Sequence, residues 1–172
     1  MSSGTQRLTR RGFASGLVAG LVVGLRAETS GQTMQQIQAR APGDTRTSLH
    51  QEIALTATSS RIEAALLDAK QFAAFTGMAA TIDAHEGGAF SLFSGMIVGR
   101  NVELVAGKRI VQAWRPPDWE PGVYSLVRFE FRASGSGTLV MLDHTGFPPG
   151  DFAHLSSGWQ EHYWEPLKKF FA

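Results

Sequence analysis

Hydrophobic and polar positions follow two different periods along this chain, and the switch between them divides it. Near the carboxy-terminal end, Pro148, Pro149 and Gly150 form a turn, after which no further turn cluster occurs. At about 100° per residue, Phe152, Leu155, Trp159, Tyr163, Pro166 and Phe170 fall in one narrow stripe, with Glu161, Glu165, Lys168 and Lys169 opposite. This predicts one long amphipathic helix whose aromatic face needs a broad apolar surface to lie against. Residues 79–145 have the shorter period. In the clearest stretch, residues 123–132, Val123, Ser125, Val127, Phe129 and Phe131 alternate with Tyr124, Leu126, Arg128, Glu130 and Arg132. One face of that strand is apolar and the other mostly charged, so the sheet has a covered side and a wet side.

The front of the body completes the order. Ile53 and Leu55 alternate within residues 50–58 and suit a first strand. Thr58, Ser59 or Ser60 then caps a helix, with Glu63 three residues beyond Ser60 as in a capping box. Two short helices are predicted over residues 61–69 and 70–76, burying Ile62, Ala65, Leu66, Phe72 and Phe75, and Gly77 ends the second. Turn signals at Gly87-Gly88, Ser94-Gly95, Ala106-Gly107, residues 116–122 and residues 134–137 separate the later strands. A strand, two short helices, about six more antiparallel strands and a long helix make an α+β chain of the helix-grip type, a curved sheet wrapped on its last helix. That arrangement leaves a cavity between the two.

Charge divides the chain elsewhere. Of sixteen basic residues, Arg7, Arg10, Arg11 and Arg26 precede Ala27, and all fifteen acids follow it. The twelve bases and fifteen acids that remain give a net charge of −3 and no basic stripe, which excludes nucleic acid as a partner. Arg10-Arg11-Gly12-Phe13 leads into an uncharged run over residues 14–25, too short for the about twenty residues of a spanning helix. Paired arginines with a phenylalanine two places on resemble a twin-arginine signal, which exports folded proteins. The expectation is an export signal over residues 1–27, a polar linker over 28–48, and one domain over 49–172, with the mature protein periplasmic. With no cysteine, disulfides and thiolate sites are excluded.

A family resemblance rests on residues that occur in order. They are Gly87-Gly88, Phe90, Phe93, Gly99, Glu103-Leu104-Val105, Ile110 to Trp114-Arg115, Trp119 and Gly122, Gly137-Thr138, Gly146-Phe147-Pro148, and Gly158-Trp159 with Tyr163-Trp164. Together they resemble the carboxy-terminal domain of the activator of heat shock protein 90 ATPase and the bacterial START-like proteins named after it. The resemblance covers residues 49–171 and departs at Trp119-Glu120-Pro121, where the family usually has proline directly after the tryptophan. It implies a helix-grip fold and a cavity, and it brings in a chaperone ATPase as a partner. The leader argues against that partner, because an exported protein would not meet a cytoplasmic chaperone.

Candidate chemistry is thin. No HExxH, G-x-S-x-G or glycine-rich phosphate loop occurs. Asp143 and His144 adjoin on a strand, so their side chains leave opposite faces and form no dyad. His85 and Asp83 share a strand face without further ligands, so no metal is expected there. No catalytic residue and no cofactor are assigned. Phe90, Trp114, Phe129, Phe131, Trp159 and Tyr163 converge between sheet and helix, and His144 is expected at the mouth of a cavity they line. Gly95 and Gly99 leave room in the facing strand. Arg115 is expected to pair with an acid or a ligand carboxylate, and Trp119 to act as a lid or a partner contact. Leu139 and Met141, on the wet face, hint at a homodimer. The leading expectation is non-catalytic binding of a small hydrophobic or amphipathic ligand. A chaperone-ATPase activator and a cyclase- or aromatase-like enzyme stand behind it.

Overall fold

The computed structural model describes residues 43–172, so the export signal expected over residues 1–27 and most of the linker expected over 28–48 lie outside the described residues. β1 (Ser48–Leu55) buries Leu49, Ile53 and Leu55 on one face, in the alternation its sequence carries. Thr58 then caps α1 (Ser59–Leu67), its hydroxyl accepting from the Arg61 amide, and Asp68 caps α2 (Ala69–Thr76) through the Gln71 amide. Gly77, at φ 73°, ends α2 in the left-handed conformation that glycine adopts without penalty. Glu63 does not complete a capping box; its carboxylate accepts from the Gly107 amide at 2.6 Å and ties α1 to a hairpin of the sheet.

The remaining strands are β2 (Thr81–Ile82), β3 (Ala89–Leu92), β4 (Ile97–Val105), β5 (Arg109–Arg115), β6 (Ser125–Ser134) and β7 (Gly137–Thr145). They form a seven-stranded antiparallel sheet in the order β1-β7-β6-β5-β4-β3-β2, with a bulge in β4 between Asn101 and Glu103. β1 therefore closes against β7 at one edge, although they stand at opposite ends of the domain sequence. The outer face is wet and cross-linked by charge: Asp143 accepts from His50 and from Arg128, each at 2.7 Å. His144, next to Asp143, points the other way and is 1% exposed, as strand geometry requires. Met141 on the outer face is buried and Leu139 half-buried; the exposed apolar residues there are Tyr124 and Leu126. The pair taken from the sequence as a hint of self-association is thus not an exposed apolar patch.

The last helix is continuous but not uniform. It runs as α3 (Phe152–Trp159), a π-helical turn (Gln160–Trp164) and α4 (Glu165–Phe170). Pro166 has no N–H for the His162 carbonyl, and its ring would collide with that carbonyl in a regular helix. The π turn just before it supplies the extra residue that relieves the conflict. One inserted residue shifts the buried stripe by one position. Trp159 and Tyr163 are buried as the period predicts, but the stripe then continues through Trp164, Leu167 and Phe171. Phe170 is 36% exposed and Pro166 only half-buried, which corrects the predicted stripe. His162 is exposed beside it, and His162→Ala is expected to change stability by under about 0.5 kcal/mol in urea unfolding.

Candidate functional site

The rings expected between sheet and helix meet there. Trp159 lies 4.9 Å from Trp114, 4.5 Å from Tyr163 and 5.6 Å from Phe129, centroid to centroid. Tyr163 also meets Phe72 at 5.8 Å and Phe93 at 5.4 Å, so α2 and the β3–β4 turn close the cluster. Phe90 packs on Trp114 at 6.4 Å and lies over Gly99, whose missing side chain leaves the space that ring fills. A Cβ on Gly99 would run into the Phe90 ring and the Ala113 carbonyl. Gly99→Ala is therefore expected to destabilise by about 1–3 kcal/mol, readable as a lower urea midpoint. Phe131 is buried opposite Val140, further along β6, and makes no ring contact among the described residues.

Within this apolar box the sheet's inner face carries polar side chains. Nδ1 of His144 accepts from the Trp159 indole at 3.1 Å, which leaves Nε2 to carry the proton and donate to Ser125 Oγ at 2.7 Å. Ser125 is 3.5 Å from the Trp114 carbonyl. Both His144 contacts suit the neutral ring, and burial pushes its pKa down to about 3. His144 is thus an interior residue, not one at a cavity mouth; Phe147, 5.2 Å away, covers it. A second string runs alongside: the Trp114 indole donates to Gln112 at 3.0 Å, Gln112 to Asn101 at 2.9 Å, and Asn101 to the Asp83 carbonyl at 2.8 Å. Burial raises the pKa of Tyr163, and no hydrogen bond among the described residues reaches its hydroxyl.

Two residues expected at the surface play other parts. Trp119 is 3% exposed, and its indole donates to Asp151 at the start of α3 at 2.7 Å. It pins the loop after β5 onto the last helix and is neither an open lid nor a presented contact. Arg115 donates to the Trp119 carbonyl at 3.1 Å instead of an acid, and its buried Nε has no partner. Beside this loop a surface groove of about 390 Å³ is lined by Asp118, Glu120, Val123 and residues 146–149. A smaller one of about 250 Å³ lies by Leu55, Thr56 and Lys168. Neither touches the ring cluster, whose members pack against one another.

Gln51, Asn101 and Gln112 went unnoticed in the sequence, and Ser125, though placed on the apolar face, was given no role. Gln51 sits at an inward position of β1 and holds the helix at three points, accepting from Trp164 at 2.6 Å and Gln160 at 3.2 Å and donating to the Ser156 carbonyl at 3.0 Å. The signal was available: each is a polar residue at an apolar position of a period-two pattern, as Ser125 is between Val123 and Val127. His85 and Asp83 are hydrogen-bonded at 2.6 Å on the exposed surface, and among the described residues no third ligating group joins them.

No acid stands against a base inside the cluster, and its one imidazole is held neutral by the rings around it. The architecture around it is that of the helix-grip folds. The family described as "Activator of Hsp90 ATPase homolog 1-like protein" matches residues 56–172, and the chain belongs to it. It is 38% identical over 100 residues to an activator of 90 kDa heat shock protein ATPase homolog from Dictyostelium discoideum, covering 58% of this chain and 26% of that one. Against the human homolog 1 it is 32% identical over 98 residues, 57% of this chain and 29% of the relative. The chain thus spans under a third of the length of these two relatives. Among solved structures, an HSP90 activator from Plasmodium falciparum superposes with a TM-score of 0.69 at 26% identity, over 73% of this chain and 96% of that one. The Aha1 dimer from Colwellia psychrerythraea superposes with a TM-score of 0.63 at 14% identity, over 73% and 97%, and shares the fold.

Proposed function

We propose that this chain is an exported, non-catalytic binding domain that takes a small apolar or amphipathic ligand between sheet and last helix. The observation that carries this reading is the polar floor beneath the rings: Asn101, Gln112, Ser125 and His144, all 4% exposed or less. A sheet serving only to seat a helix is cheaper with apolar residues there, because each buried polar group loses its water and regains only part of that in new hydrogen bonds. Such groups, beside rings with polar tips, are what orients a mostly apolar guest. Native mass spectrometry of protein purified from its own host tests the reading: a co-purifying small molecule of constant mass is expected. A chain that carries none, and whose tryptophan emission no neutral aromatic compound quenches, sinks it.

Export is the second part of the proposal and rests on Arg10-Arg11 ahead of an uncharged run. Fractionation is expected to find shortened protein in the periplasm, and Arg10→Lys with Arg11→Lys to leave full-length protein in the cytoplasm. A chain starting near Gly31 should melt like the whole one. Full-length protein confined to the cytoplasm in the unaltered strain removes the export claim.

The competing reading is contact with an Hsp90-type ATPase, favoured by the 38% identity to the Dictyostelium activator. It is tested by adding the full chain to such an ATPase and measuring turnover. A severalfold stimulation, together with cytoplasmic location, would put this reading first.

A further inference from the structure

The β3–β4 hairpin contains the only two non-glycine residues with positive φ among the described residues, and they are adjacent. Leu92 pairs with Ile97, so residues 93–96 make the turn. Phe93 has φ 52°, Ser94 φ 57° and Gly95 φ 95°, three left-handed residues in succession. Glycine takes that region freely and asparagine readily, whereas a bulky residue there is strained. An Asn-Gly turn would cross the same gap without strain, so Phe93 is there for its ring. The strained backbone drives that ring inward, where it is 8% exposed, 5.1 Å from Phe72 and 5.4 Å from Tyr163. Met96, three residues on, is 60% exposed. Facing Phe93 is the other irregular stretch of backbone, the π turn that carries Tyr163. The turn itself is held by few bonds: the Ser94 amide donates to the Ala79 carbonyl at 2.8 Å and the Met96 amide to the Phe93 carbonyl at 3.3 Å.

We propose that Phe93 is a movable plug: the 93–96 turn swings outward, its left-handed residues relax, and the vacated space, bordered by Phe72, Tyr163 and, at 6.2 Å from the Phe93 ring, His162, admits a flat neutral monocyclic ligand with one hydrogen-bonding group. This rests on the small-ligand reading above and names the site and the ligand class. Planarity follows from the walls, which are ring faces and edges on all sides. Neutrality follows because none of these residues is an acid, a lysine or an arginine and His162 stands at the exposed rim, so an ion drawn inside would lose its water without a counter-charge. One polar group follows from the Tyr163 hydroxyl, the polar tip of a side chain otherwise held among rings. Because the closed form holds the strain, the strain favours opening, a substitution that removes it from the closed form favours the plugged state, and apparent affinity scales with the open fraction.

Isothermal titration calorimetry of the full chain with p-cresol, toluene and 4-hydroxyphenylacetate tests this. The wild type is expected to bind p-cresol more tightly than toluene and to ignore the carboxylate. Ser94→Gly removes strain from the closed form only, so it should weaken p-cresol binding by about threefold to tenfold. Phe93→Ala removes the plug and should strengthen it by about tenfold or more, and in that background Ser94→Gly should change affinity by less than about twofold. If Phe93→Ala fails to fold, Phe93→Leu and Ser94→Gly alone carry the comparison. Equal affinities in wild type, Ser94→Gly and the Phe93 variants would place binding elsewhere and overturn the plug while leaving the ligand reading standing. Binding by a Phe93 variant with none by the wild type is an engineered hole and overturns the plug as well. No binding by any of them ends both readings.

Discussion

Trp159→Ala is expected to lower the free energy of unfolding by about 3–5 kcal/mol, the cost of deleting a large aromatic from a closed core. The site offers little chance of collapse. Trp159 is 3% exposed and stacks on Trp164 at 5.7 Å and 25°, with Trp114, Phe129 and Tyr163 on its other sides. These rings come from the sheet and from the helix's own π turn, so none can move in without disturbing two elements. The loss is also polar. Without the indole N–H, Nδ1 of His144 keeps a lone pair with no donor in a dry interior, which costs about 1–3 kcal/mol by itself. Trp159→Phe separates the two contributions, because it keeps most of the ring volume and loses the donor. Urea unfolding of both variants checks this, with Trp159→Phe falling between wild type and Trp159→Ala. A loss under about 1 kcal/mol for the alanine variant would mean the helix does not close on the sheet at this residue.

Acid is expected to unfold the domain through His144. In the folded chain its pKa is pushed down to about 3 by burial, against an ordinary value of 6.5. Between those two pH values the unfolded chain binds a proton at His144 that the folded chain does not. Stability is therefore whole above pH 6.5 and falls as pH is lowered through the window, by up to about 1.4 kcal/mol per pH unit. His50 acts in the opposite sense. Its hydrogen bond to Asp143 raises its pKa, so its contribution is present at low pH and lost as pH rises through the raised value. The informative quantity is the difference between wild type and His144→Gln. Melting temperatures followed from pH 7 to 5, before most carboxylates titrate, should fall steeply in the wild type and flatten in the variant. Parallel curves would show that His144 is not held neutral.

The elements of this fold were legible because their patterns are local. The alternation over residues 123–132 and the stripe through Trp159 and Tyr163 each follow from the backbone period alone. The shift of the stripe to Trp164, Leu167 and Phe171 was not, although its cause was in view: Pro166 cannot sit in an undisturbed helix, and a period of 3.6 carried past it had to fail. The site was legible as a set of rings and illegible as a set of hydrogen bonds. That Trp119 lies beneath the surface depends on Asp151, thirty-two residues later, and a Pro-rich loop carries no sign of that partner. His144 was placed on the right face but at the wrong depth, because period two fixes direction and not distance from solvent. The strain at Phe93 could not be foreseen, since Phe-Ser is not a turn pair that sequence preferences favour.

The pairing of β1 with β7, and the grip of Gln51 on the last helix, bear on how the molecule is made. The first strand has no partner until its counterpart some ninety residues later has been synthesised, as the match of His50 with Asp143 shows. Its hold on Trp164 waits longer still, almost to the end of the chain. A ribosome still carrying the final helix therefore carries a sheet with one edge unclosed and its aromatic side bare. Contacts of such long separation form slowly, and the aromatic side is covered only once the last helix has emerged. During that interval the nascent domain presents the apolar surface that chaperones recognise, whatever the finished domain goes on to bind.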